Sequence, residues 1–158
     1  MPDNPTVPSE HLPFSRVLPG PADLRYYPAH DLVAWRPEGV LEDELLDAIG
    51  EWIYAAERTS PSFERFIDLS RITSVAVRTS HVFDFARKRT EQFGGPRPVK
   101  SVVFSEDWVG FGIARMYESL MEGASIEVRA FRDRAKAAEW LEVPAEVLKL
   151  EDNPAPAG

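Results

Sequence analysis

The chain has 158 residues, 44% of them hydrophobic and 11% aromatic, which suits one domain with a real core and excludes a disordered chain despite 28% charge. Its 18 Lys and Arg against 26 Asp and Glu give a formal net charge of −8. That balance argues against nucleic acid as a partner, because neutralising phosphates takes clustered cations. With no cysteine there is no disulfide frame, no thiolate nucleophile and no Cys-based metal site, which fits a reducing compartment.

Residues 1–22 contain Pro2, Pro5, Pro8, Pro13, Pro19 and Pro21, and this spacing predicts an extended arm, because proline lacks the backbone donor a helix needs. The opening stretch has no basic flank followed by an apolar run, so no signal peptide is expected. No segment approaches the roughly 20 apolar residues that span a bilayer, and the expected location is the cytoplasm. Residues 23–150 are read as one domain and 151–158 as a disordered tail.

Two β-favouring runs, Leu24 to Tyr27 and Asp31 to Trp35, flank Pro28, Ala29 and His30 and predict an antiparallel hairpin. A helix follows from about Glu42 to Arg58, with Leu45, Leu46, Ile49, Trp52, Ile53 and Ala56 on one face. Phe66 to Leu69 form a short strand, followed by the loop SRITSVAVRTS. A second helix starts near Thr79 or Ser80, either of which is a suitable cap, and continues through Val82, Phe85, Ala86 and Arg89 to Phe93, where Gly94, Gly95 and Pro96 end it.

Ser101 to Val143 reads as a βαβα unit. Val102, Val103 and Phe104 make a buried strand, and Ser105, Glu106 and Asp107 offer a helix start. Ile113, Met116, Tyr117 and Leu120 form an apolar stripe that Gly123 closes with a left-handed residue. Ile126 and Val128 alternate with charged residues in a second strand. Asp133 caps a helix whose Ala137, Ala138 and Leu141 face inward before Pro144, and AEVLKL adds a last turn. The predicted fold is α/β, a mixed sheet of about five strands with an N-terminal hairpin, then αβαβαβα, helices packed on one side.

Three stretches carry a resemblance to the SpoIIAA-like proteins of the STAS superfamily: FIDLSRIT (66–73), GIARMYESL (112–120) and FRDRAKAAEWL (131–141). With the hairpin and first helix, the likeness covers about residues 23–143. It implies a mixed sheet of about five strands with helices on one side. Anti-sigma-factor antagonists of that superfamily are switched by phosphorylation of a Ser, usually in an Asp-Ser-Ser-Gly run after the FIDLS strand. Here the corresponding positions are Ala76, Val77, Arg78 and Thr79, so Thr79 and Ser80 are the displaced candidate acceptors.

Other constellations are sparse. His11, His30 and His81 lack metal-ligand spacing, Gly110 and Gly112 lack the third glycine of a dinucleotide fingerprint, and neither a metal nor a cofactor is expected. Each of those two glycines costs about 1 kcal/mol in a helix interior, and close packing against a neighbouring element accounts for them. Residues 64–100 carry eight basic residues against four acidic ones, a net +4 in an acidic chain. Phe83 beside Arg87 and Lys88 forms a candidate surface patch for an anionic membrane surface or an acidic partner. The loops at the carboxyl ends of the strands gather Ser70, Arg71, Thr73, Arg78, Thr79, Ser105, Asp107, Trp108 and Phe111, which suit a small apolar or anionic ligand.

The reading is therefore a non-enzymatic regulatory domain that binds a partner protein or a small apolar or anionic ligand, with peripheral membrane contact through the patch. A homodimer is expected from the surplus of apolar side chains at Val82, Phe83, Trp108 and Phe111. The alternatives are a phosphorylation-switched regulator and a small hydrolase or transferase using Asp68, Asp107 or His81.

Overall fold

The computed structural model describes residues 24–60 and 62–150. The proline-rich arm, His11 and the C-terminal tail lie outside them. Strand β1 (Arg25–Tyr27) turns through residues 28–31 into β2 (Leu32–Trp35) as the expected antiparallel hairpin, with Asp31 at φ 46°. Strand β3 (Gly39–Leu41) and helix α1 (Asp43–Thr59) precede β4 (Glu64–Asp68) and β5 (Ile72–Val75). Helix α2 (Thr79–Gln92), β6 (Val99–Phe104), α3 (Trp108–Leu120), β7 (Ile126–Phe131), α4 (Arg134–Leu141) and a 3₁₀ turn (Ala145–Leu148) complete the order.

The main sheet runs β1-β2-β4-β6-β7, antiparallel at the β1–β2 edge and parallel elsewhere, which is the five-stranded mixed sheet expected. The stretch read as the loop SRITSVAVRTS is not a plain loop. Its Ile72–Val75 segment pairs in parallel with Gly39–Leu41 to make a second, two-stranded sheet. Both strands are short and β5 is partly exposed, so neither has the alternation that marks a strand in sequence.

Successive side chains in a strand point to opposite faces, and that parity sorts the core. Leu32, Ala34, Phe66, Val102 and Phe104 meet Ala137, Ala138, Leu141, Leu148 and Leu150. Trp35 and Ile67 meet Ile49 and Ile53 of α1, while Val99, Ile126 and Val128 meet Ala86, Met121 and Tyr117. The expected one-sided packing thus holds for α1, α2 and α3, and α4 with the 3₁₀ turn covers the opposite face. Double coverage is why all four residues of β2 are buried.

Local chemistry sets the helix ends. The Asp107 carboxylate accepts from the Val109 and Gly110 backbone N–H groups at 3.1 Å each, and Asp133 caps α4 in the same way. Gly123 is left-handed at φ 85°. Gly110 packs against Ser105, whose Oγ would stand 2.5 Å from an added Cβ, whereas Gly112 faces open space and close packing does not explain it.

The capping expected of Thr79 or Ser80 is not observed. Arg78 is the first flanking residue of α2, and no side chain of the helix caps it. Asp43 of α1 instead accepts from the Arg78 backbone N–H at 2.9 Å and from its Nε at 2.5 Å, so one helix start anchors the other.

Candidate functional site

The nine residues grouped at the carboxyl ends of the strands are only partly brought together. A cleft of about 420 Å³ is lined by Thr73, Ser105 and Asp107, with Leu69, Ile72, Ser74, Val75, Val109 and Gly110. Ser105 is buried and donates to the Asp107 carbonyl, and Asp107 is occupied as the α3 cap. Ser70 is exposed, with its backbone N–H donating to Asp68. Arg71 pairs with Glu38 at 3.1 Å and Arg78 with Asp43, so neither guanidinium converges on the cleft. Thr79 is exposed at the start of α2, outside the residues lining the cleft. Trp108 is 68% exposed under the Arg132 guanidinium at 3.6 Å, with Phe111 edge-on to its ring.

The three residues considered for catalysis each hold structure. Asp68 is fully buried, accepts from Arg134 Nη1 at 2.9 Å and from the Ser70 N–H at 2.8 Å, and so ties the end of β4 to α4. His81 Nε2 lies 2.7 Å from Asp47 and joins α2 to α1. Among the described residues no group of three His, Asp or Glu side chains comes together as a metal site.

The basic patch is also redistributed. Arg87 pairs with Asp84 and Glu91, Lys100 with Glu142 and the Trp140 carbonyl, and Arg65 and Arg89 lie inside. Phe83 remains 51% exposed beside Arg87 and Lys88, but most of the +4 charge is neutralised or buried. Val82, counted among the surplus apolar residues, belongs to the core. No described helix is long and apolar enough to cross a membrane.

A second space was not expected from the sequence. Between α1, α2, α3 and the sheet lies a cavity of about 80 Å³ with an almost wholly apolar wall, including Leu46, Ile53, Val103, Ile113 and Ala114. Its polar lining consists of Ser101 and Tyr117. Phe85 lines both this cavity and an outer groove of about 360 Å³ between α1 and α2. The ring fits because α1 has glycine at position 50, where a Cβ would stand 2.7 Å from Phe85 Cε1.

Next to Tyr117 lies a buried charge cluster. Glu57 Oε2 accepts from Arg65 Nη2 at 2.5 Å and also from Arg89 Nη2, and all three side chains are 3–4% exposed. Arg89 reaches Gln92 at 3.2 Å, and Arg65 lies over the Phe63 ring at 4.2 Å. Burial pulls the Arg65 guanidinium below its ordinary value, and Glu57 opposes the shift. Burial pushes the Tyr117 phenol up to about 12, against the pull of Arg89 and Arg65. The sequence signal was present: Arg89 continues the Val82–Phe85–Ala86 stripe, and Glu57 sits four residues beyond Ile53 on the buried side of α1.

No protein-family model matches the chain, and no curated protein matches it. A solved structure from Shewanella loihica PV-4, an uncharacterized protein of the DUF3478 family described as having a SpoIIAA-like fold, is similar to it. It has 14% sequence identity and a TM-score of 0.45, over 70% of this chain and 83% of that one. Among the described residues the architecture is a five-stranded mixed sheet, with a second two-stranded sheet and four α-helices.

Proposed function

We propose that this domain is a non-catalytic binding module for a small apolar ligand held between the α1–α3 layer and the sheet. The observation that carries the reading is the apolar cavity, whose lining shares Phe85 with the outer groove. Apolar cavities stay dry and take apolar guests, and one of about 150 Å³ accepts benzene. At about 80 Å³ the present space is smaller, so a larger guest enters only as Phe85 swings outward and joins cavity to groove. A swing of this kind is a rotamer change and leaves the sheet untouched.

Titration with 1-hexanol, followed by the methyl NMR signals of Ile53, Val103 and Ile113, tests this. Saturable shifts confined to the cavity-lining methyls support the reading. Shifts absent there at saturating alcohol contradict it.

A second reading concerns regulation. Thr79 and Ser80 are exposed at the start of α2, and neither hydroxyl caps that helix. A phosphoryl group there would gain from the helix N-terminus and from Arg78, and would compete with Asp43 for that guanidinium. Intact-mass and peptide mass spectra of protein from its native cells test it. A phosphoryl group on Thr79 or Ser80 supports the switch, and unmodified peptides across growth conditions contradict it.

A further inference from the structure

At the rim of the outer groove Arg87 and Lys88 stand against Asp47, Glu51 and Asp84, so the rim does not favour an anion, and Arg89, which also lines the groove, is buried and paired with Glu57. Selection falls to the cluster inside. Glu57 supplies one negative charge to Arg65 and Arg89, and among the described residues no other carboxylate pairs with either guanidinium. The cluster therefore holds a net +1 in the interior, where an uncompensated charge is costly. Arg65 Nε is buried without a hydrogen-bond partner, and so is Glu57 Oε1.

The polar side chains of the cavity lie toward this charge. Ser101 sits opposite Arg65 in the β4–β6 register, and the Tyr117 phenol feels the charges of Arg89 and Arg65. Leu41, Leu46, Leu69 and Val77 provide apolar wall contributed by the β3, α1 and loop segments near the strand ends. Phe85, tilted against Tyr117 at 5.4 Å between ring centroids, lines both the cavity and the outer groove.

Resting on the cavity reading above, we infer that the guest is an amphiphile with an anionic head, a carboxylate on an unbranched apolar body. The head lies against Ser101 and Tyr117, where it offsets the Arg65–Glu57–Arg89 charge, and the tail runs along the apolar wall. An alcohol of the same length fills the same space without meeting the charge, and a quaternary ammonium meets it with the wrong sign.

Calorimetric titration of the full chain with decanoate, 1-decanol and decyltrimethylammonium, each below its micellar concentration, separates the two ideas. The expected result is decanoate at least about tenfold tighter than decanol, with the ammonium weakest. Arg89→Met brings decanoate to the level of decanol and leaves decanol unchanged, in a variant whose circular dichroism matches the parent. Should that variant not fold, the three-probe comparison on the parent chain decides alone. Decanoate binding no better than decanol overturns the anionic head and leaves the apolar cavity standing. Binding of none of the three overturns the cavity reading as well.

Discussion

Glu57 and Arg89 are 32 positions apart in the chain and share a buried ion pair in which the same carboxylate oxygen also takes Arg65. Removing either partner does not cost the same. Glu57→Gln leaves two buried guanidinium groups without an anion, and unfolding in urea should show a loss of about 3–5 kcal/mol. Arg89→Met leaves a balanced Glu57–Arg65 pair, and a loss of about 1–3 kcal/mol is expected. Equal losses for the two substitutions would mean that the cluster carries no net charge.

Gly110 and Gly112 belong to one helix and should respond to alanine with opposite signs. At Gly110 the added Cβ meets Ser105, a short and fully buried side chain with nowhere to move, so Gly110→Ala is expected to cost about 1–3 kcal/mol. At Gly112 there is open space, and Gly112→Ala should gain up to about 1 kcal/mol of helix propensity. Denaturant midpoints of the two variants check the pair.

Ala114 is 1% exposed and lines the cavity. Ala114→Val places two methyl groups into the space and should weaken 1-hexanol binding at least about tenfold, with stability within about 1 kcal/mol of the parent. Unchanged affinity would place the alcohol elsewhere.

Two ends of the pH scale report on named groups. Tyr26, by burial and then its bond to Asp31, and Tyr117, by burial, are each pushed up to about 12 from 10. A raised phenol favours the folded state below pH 10, and that contribution is lost as pH rises from 10 toward 12. Ultraviolet titration of the folded chain should therefore lose a late-ionising tyrosine in each of Tyr26→Phe and Tyr117→Phe. At the acid end, bonds from the Arg78 backbone and side chain hold the Asp43 carboxyl below its usual 3.8. A lowered carboxylate favours the folded state above that value and ceases to do so as pH falls through its folded pKa. Hydrogen exchange at the start of α2 should speed up there, and Asp43→Asn should abolish that pH dependence.

What was legible in the sequence was what local chemistry decides. The hairpin, the caps at Asp107 and Asp133, the left-handed Gly123 and the inward face of α4 depend on residues a few positions apart. What was not legible depends on partners far along the chain. The β3–β5 sheet joins segments more than 30 residues apart, and α2 is anchored by Asp43 at a separation of 35 in place of Thr79 or Ser80. The basic surface was overestimated for the same reason: Arg65 and Arg89 count as surface charge until Glu57 is seen between them. Arg89 on an apolar stripe was the cue that a buried counter-charge must exist.

The most direct measurement is a crystal structure of the full chain with 10-bromodecanoate, read from the anomalous signal of bromine. The account predicts one bromine among Leu41, Leu46, Leu69 and Val77, with the carboxylate near Ser101 and Tyr117 and the Phe85 ring turned toward the groove. Bromine found only on the exposed Phe83 or Trp108 surface, with the cavity closed, would contradict it.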